Sequence, residues 1–196
     1  MRQKAEYRSA KRSRQLIRNA FVALMAEKPL AKITVTDIVK RADINRGTFY
    51  AHYADTQAVI ETIEHEIITE LMSILNDFDF RTFFDNPAPL FDQINQYLDQ
   101  DLNFYRTLIN SSGATDFLAQ LKQTFVDYLL ADTGTPQQLR QSREYEVLLH
   151  FFAGGIVNLY QLWFRGALDF PLSDVTAELT KLVQTSAPLF HHTQSE

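Results

Sequence analysis

The chain has 196 residues, 45% of them hydrophobic, no cysteine and a formal net charge of −5. That length allows one large domain, or a small one joined to a medium one, and the lack of cysteine excludes disulfides and thiolate metal sites. No run of about 18 uncharged apolar residues suggests a transmembrane helix, and the basic start MRQKAEYRSAKRSRQ lacks the apolar stretch of a secretory signal, so a cytoplasmic protein that makes no use of a membrane is expected.

The charge is unevenly placed. Residues 1–53 carry twelve Lys+Arg against four acidic residues, a net of +8, whereas residues 54–196 carry seven against twenty, a net of −13. A polyanion is drawn to the first segment and repelled by the second, although a solvated basic tail would give the same count. The asymmetry suggests two regions, residues 1–54 and residues 55–196. With six Gly, six Pro and few alternating β-branched runs, helical periodicity dominates and an all-α fold is predicted.

In chain order, the first helix is predicted from about Lys11 to Glu27, with Leu16, Ile17, Ala20, Phe21 and Leu24 on one face. Lys28-Pro29 ends it. A short helix follows over Asp37 to Ala42 with Thr36 as its N-cap, then a tight connection Asp43-Ile44-Asn45, then a second short helix over Arg46 to His52 capped by Asn45. Asp55 caps a long helix to about Asn76. Residues 77–89 (DFDFRTFFDNPAP) read as a packed-down connection. Helices are predicted beyond it near 88–100, 102–111, 114–131, 136–166 and 172–190, punctuated by Ser111-Ser112-Gly113, Thr133-Gly134-Thr135-Pro136 and Phe170-Pro171. Gly154-Gly155 inside the 136–166 helix suggests a close backbone approach or a bend.

The informative stretch is Ile33 to Tyr53, ITVTDIVKRADINRGTFYAHY. Two short helices around a three-residue turn make a helix-turn-helix. Ile38, Val39 and Ala42 can pack against Ile44, Phe49 and Tyr53, which leaves Arg46, Gly47, Thr48, Tyr50 and His52 pointing outward, as groups suited to base edges and phosphates. Thr36, Asp37, Ile38, Val39, Ala42, Ile44, Gly47, Thr48, Phe49, Tyr50, His52 and Tyr53 match, position by position, a pattern that resembles the TetR/AcrR family of regulators. The match spans about 45 residues with the first helix included.

The resemblance implies a homodimer that sets two recognition helices in successive major grooves of palindromic double-stranded operator DNA. It implies that Thr36 holds a phosphate and that Arg46 reads a base edge, since a guanidinium can take guanine O6 and N7 together. Gly47 permits close approach of the backbone, Thr48 and His52 contact phosphates, and Tyr50 meets a phosphate or a thymine methyl. Two positions depart from the family pattern: Asp43 stands where the turn usually has glycine, and Thr56 where the fourth helix often begins with lysine. The basic arm with Lys4, Arg8, Lys11, Arg12 and Arg14 could compensate.

Beyond residue 77 the chain is rich in aromatic residues, and the resemblance implies a pocket there for a small-molecule effector, coupled to the head by the fourth helix. Tyr97, Tyr105, Phe125, Tyr128, His150, Asn158 and Trp163 are the candidate ligand-binding residues, with ordinary core packing the competing reading for each. The last two long helices resemble the pair that forms the family's four-helix dimer interface. Phe152, Gly155, Ile156 and Leu159 on one, and Leu179, Leu182 and Val183 on the other, are the candidate interface, with Trp163 and Leu189 adding apolar surface; a monomeric core seam is the alternative. No metal or other cofactor is expected. Neither a phosphate-binding glycine loop nor a nucleophile elbow is present, so no enzyme is expected. A ligand-responsive regulator, usually a repressor, is therefore the leading reading, and a co-activator on the same scaffold that works through protein partners is the alternative.

Overall fold

The structure is a computed structural model that describes residues 2–83, 85–132, 135 and 137–191, and every regular element among them is helical. Phe84, His192 and most of the predicted break at Thr133-Gly134-Thr135-Pro136 lie outside the described residues, as do the side chains of Lys4, Arg8 and Leu189.

Helix α1 spans Arg2–Glu27, and so begins well before Lys11. Its buried face is Ile17, Ala20, Phe21 and Leu24, while Leu16 lies at the exposed margin. A 3-10 turn, Leu30–Lys32, leads to α2 (Val35–Arg41) and α3 (Arg46–Tyr50). The expected cap of α2 is corrected: Thr34, not Thr36, is the N-cap. Thr34 and Asp37 form a capping box, in which the Thr34 hydroxyl accepts the Asp37 N–H at 3.2 Å and the Asp37 carboxylate accepts the Thr34 N–H at 2.9 Å. Two orphan amides are satisfied at once, which Thr36 could not achieve from within the first turn.

Helix α4 spans Thr56–Asn76, and Asp55 caps it by accepting the Ala58 N–H at 2.8 Å. After a 3-10 turn at Phe80–Thr82 come α5 (Ala88–Asp99), α6 (Leu102–Ile109) and α7 (Ala114–Ala131). The predicted 136–166 helix is two helices, α8 (Gln137–Arg140) and α9 (Arg143–Phe164). Ser142 breaks it, because its hydroxyl accepts the Tyr145 N–H at 3.2 Å and starts a new helix there. Helix α10 spans Leu172–His191.

One core cluster joins the two halves of the chain: Phe21, Ile38 and Phe49 belong to it together with Phe91, Phe117 and Val183. Helix α4 runs through it, with Val59, Ile60 and Ile63 buried in its first half and Ile67, Ile68 and Leu75 in its second. A buried polar chain ties three helices of the body together. The Tyr160 hydroxyl donates to Asn95 Oδ1 at 2.9 Å, Asn95 Nδ2 donates to Thr176 Oγ1 at 2.6 Å, and Thr176 donates to the Leu172 carbonyl at 3.1 Å. Burial pushes the Tyr160 phenol well above its ordinary pKa, so it stays a neutral donor.

Helix α9 buries Tyr145, Leu149, Ala153, Tyr160 and Phe164. Among the described residues it is the one helix long and apolar enough, by length and composition, to cross a membrane, which the search for an unbroken apolar run missed because His150, Asn158 and Gln161 interrupt it. Its apolar excess lies on the outer face, where Phe151 is 71% and Val147 66% exposed. A Cβ placed on Gly154 or Gly155 meets nothing within 4 Å, so the expected close approach is not made within this chain.

Candidate nucleic-acid interface

The head is built from short elements that are locked from behind. Ile38 and Phe49 are fully buried, Val39, Ala42 and Tyr53 nearly so, and Ile44 is half-buried. These are the core positions read from the sequence, and together they fix how α3 projects from α2 and α1. The end of α2 is anchored to the end of α1: Arg41 places one guanidinium nitrogen 2.7 Å from both Glu27 carboxylate oxygens, and Lys28 Nζ lies 2.6 Å from Asp37 Oδ2. Lys28 and Thr34 hold the Asp37 carboxyl far below the usual carboxylate range. Arg41 and Lys28 are therefore engaged within the head and serve its shape.

In the turn, Asp43 adopts φ +51°, the one non-glycine residue with positive φ among the described residues. The conformation that glycine would favour is thus kept with aspartate in place, which tolerates it better than most side chains. The Ile44 N–H reaches the Val39 carbonyl at 3.0 Å and closes the turn.

The outward edge of α3 carries the residues singled out in the sequence. Arg46, Gly47 and Tyr50 are exposed, with Tyr50 at 54%, while Thr48 and His52 are half-buried. Arg46 and Thr36 come together: an Arg46 guanidinium nitrogen donates to the Thr36 hydroxyl at 2.7 Å. This contact orients the guanidinium and leaves its other donors open. Asn45 caps the helix, its Oδ1 accepting the Thr48 N–H at 2.7 Å and the Thr48 hydroxyl at 3.1 Å. A Cβ at Gly47 would stand 3.2 Å from that same oxygen, so glycine protects the cap as well as leaving the backbone open. The Tyr50 ring rests edge-on against Phe49, centroids 5.5 Å apart. Lys11, Arg12, Arg14 and Lys40 are exposed on the same positively charged head. Chemically, this is a rigid edge of one fork-shaped donor, hydroxyls and an imidazole, inside a positive field.

The body holds an apolar cavity of about 130 Å³ walled by α4, α5, α6, α7 and α9. Of the candidate ligand-binding residues, Tyr105 and Phe125 line it. Tyr97 packs on Tyr105 with ring centroids 5.6 Å apart, one layer out. Two others are held elsewhere: the Tyr128 hydroxyl donates to Asn76 Oδ1 at 2.9 Å, and Trp163 Nε1 donates to the Phe170 carbonyl at 2.8 Å. His150 and Asn158 are corrected: both are exposed on α9. Sequence reasoning missed Gln161, Phe117 and Phe164, which line the cavity; for α9 the usable signal was the spacing Ala153, Val157, Tyr160, Phe164.

The candidate interface residues divide. Leu179 and Val183 are buried in the chain's own core, so these two are corrected: their apolar surface is already used inside the chain; Ile156 is half-buried and lines the cavity. Phe152 and Leu159 are half-buried against the core. Gly155 and Leu182 are exposed, Leu182 at 56%.

Comparison with known proteins matches both halves. A family model described as bacterial regulatory proteins, tetR family, covers residues 17–63, and one described as transcriptional regulator C-terminal region covers residues 85–185, just over half the chain. The HTH-type transcriptional regulator YxbF of Bacillus subtilis (strain 168) is 35% identical over 65 residues, 33% of this chain and 17% of YxbF. The chain spans only 17% to 38% of the length of the curated relatives it matches first. A TetR-family regulator from Syntrophomonas wolfei superposes with a TM-score of 0.71 at 15% identity, over 90% of this chain and 95% of that one. The dihydroxyacetone kinase operon activator DhaS superposes with a TM-score of 0.61 at 20% identity, over 90% and 97%. At these identities the superpositions establish the fold.

Proposed function

The chain belongs to the TetR family of bacterial regulatory proteins, and from that membership we propose that it is a ligand-responsive transcriptional repressor that binds palindromic operator DNA as a homodimer in the cytoplasm. The observation that carries the reading is the outward edge of α3, where Arg46, Gly47 and Tyr50 are exposed while Phe49 is fully buried behind them. We take residues 1–54 as the DNA-binding head and residues 55–196 as the effector and dimerisation body. Arg46 reads a guanine edge, Thr36, Thr48 and His52 position the phosphate backbone, and Tyr50 covers a sugar-phosphate or thymine methyl. Helix α4 links the two tasks, since its first half is buried in the core that holds the head and its second half supplies Ile67, Leu71, Met72 and Leu75 to the cavity. An effector that fits the cavity better when α4 is displaced shifts the dimer toward head spacings that no longer match two half-sites about 34–36 Å apart.

Fluorescence anisotropy against DNA selected from a random pool tests this. Affinity falls steeply with salt, and Arg46→Ala weakens the selected site by about 1–3 kcal/mol while leaving random DNA nearly unaffected. Equal binding of both DNAs by parent and variant would overturn the role of Arg46.

A second reading, an activator that works through protein partners, draws on the fold shared with DhaS, which is described as an operon activator, and on the exposed Val147 and Phe151. A stable heterocomplex on pull-down, with no retention on DNA at low salt, would favour it.

A further inference from the structure

The cavity's chemistry narrows what it can hold. No Asp, Glu, Lys, Arg or His lines it among the described residues. Its walls are aliphatic side chains and the rings of Phe83, Phe91, Phe117, Phe125 and Phe164. Three lining side chains have polar atoms: Tyr105, Tyr160 and Gln161. The Tyr160 hydroxyl is committed to Asn95 at 2.9 Å. Burial, with the Tyr97 phenol beside it, raises the pKa of Tyr105, so it stays neutral. Almost none of the cavity's accessible wall is polar, so Gln161 contributes its carbon atoms and presents no hydrogen-bonding group to the interior.

A charged ligand would shed its hydration here and meet no counter-charge, a loss the cavity has nothing to offset. Size is limited as well. A cavity of about 150 Å³ lined by Leu, Ile and Phe holds benzene, and this one is about 130 Å³. Ring-lined walls favour a flat ring met edge-on.

We propose that the cavity takes a small neutral apolar molecule, a single ring of about benzene's size with no ionised group. This rests on the reading of the cavity as the effector site and specifies the ligand class for it. It also predicts which molecules fail: carboxylates, amines that are charged at neutral pH, and phosphorylated compounds are excluded whatever their shape.

Three probes of similar outline separate charge from shape: toluene, benzyl alcohol and benzoate. Trp163, the chain's single tryptophan, lies 5.1 Å centroid to centroid from the lining ring of Phe164, so its emission reports occupancy. A thermal melt of the same samples reports binding independently. Toluene and benzyl alcohol should change the emission saturably and raise Tm, and benzoate at equal concentration should do neither. Toluene should bind about fivefold to tenfold more tightly than benzyl alcohol, whose hydroxyl meets no partner on the wall. Ala153→Leu, which fills the lining, should abolish both responses; if that variant melts early by circular dichroism, the contrast between toluene and benzoate in the parent protein carries the test.

Benzoate binding as well as benzyl alcohol, or no response to either neutral probe, overturns the assignment. Operator affinity measured alongside keeps the two readings apart. Neutral probes that bind without changing operator affinity support the ligand class and remove the effector reading. Operator release by benzoate alone overturns the class and keeps the effector reading.

Discussion

Asp43 holds a left-handed backbone at φ +51° in the turn between α2 and α3. That conformation costs an ordinary L-residue about 1–2 kcal/mol, less for aspartate, while glycine adds back some cost through the entropy of its unfolded chain. Asp43→Gly should therefore leave stability unchanged or raise it by up to about 1 kcal/mol, read as Tm, with the far-ultraviolet spectrum unaltered. A lowered Tm would mean that the aspartate side chain contributes something glycine cannot replace. Asp37 supports the same head through charge. Its carboxyl is held below the ordinary value by Lys28 and Thr34, so the folded head binds that proton less readily than the unfolded chain does. The stabilisation is full above the unfolded value near 3.9 and is lost only as pH falls below it. In Asp37→Asn, Tm should vary less between pH 5 and pH 2 than in the parent, a comparison that thermal melts across that range would make. The sequence read the type of cap but chose the wrong threonine. Thr34 and Thr36 are both plausible caps by residue type, and only the spacing Thr34-x-x-Asp37, which closes a reciprocal pair of hydrogen bonds, distinguishes them.

Between elements, α1 meets α6 through Arg18, whose guanidinium carbon lies 4.5 Å from the centroid of the Phe104 ring. The neighbouring residue, Tyr105, lines the cavity, so this contact gives the head a second connection to the effector site besides α4. The contact is not optimised for stability, because Arg18 Nε is buried without a hydrogen-bond partner. Arg18→Met keeps the apolar stem, gives up a cation–π contact of about 0.5–2 kcal/mol and relieves an unpaired buried donor of about 1–3 kcal/mol. The two nearly cancel, so Tm should move by only a few degrees. The ratio of operator affinity without and with a cavity ligand should nevertheless shrink severalfold, and an unchanged ratio would leave α4 as the whole connection. Helix existence and order were legible from 3.6-residue periodicity and from caps at Asn45 and Asp55, which act within one turn of chain. The break between α8 and α9 was not, because residues 137–164 continue to look helical and only the side chain of Ser142, accepting the Tyr145 N–H, interrupts them. The orientation of α9 was equally hidden. FFAGGIVNLYQLWF is apolar nearly all round, so its pattern could not tell which stripe faces the cavity and which faces outward.

At the scale of the whole molecule, that all-round apolar helix fits a division of labour between its two sides. The inner stripe, Ala153, Val157, Tyr160 and Phe164, walls the cavity. The outer one runs through Val147, Phe151 and Gly155, and Leu182 of α10 is also exposed. Phe151 at 71% exposure and Val147 at 66% leave large apolar groups in water beside a glycine where an added Cβ meets nothing within 4 Å. This arrangement suits a second copy of the chain, whose equivalent helix could pack closely against the glycine and cover Phe151 about a two-fold axis. Phe151→Glu tests this face without disturbing the core, because the native side chain touches solvent over most of its surface. The variant should keep its helical spectrum, sediment as a monomer where the parent sediments as a dimer, and lose about 10²- to 10⁴-fold in operator affinity as the linked binding of two half-sites is lost. Its salt dependence should also fall to about half the parent slope, since each monomer neutralises half as many phosphates. Val147→Glu should act in the same direction. Should Phe151→Glu remain dimeric with parent-like operator affinity, the outer face of α9 is not where two copies meet, and the exposed phenylalanine serves some other partner.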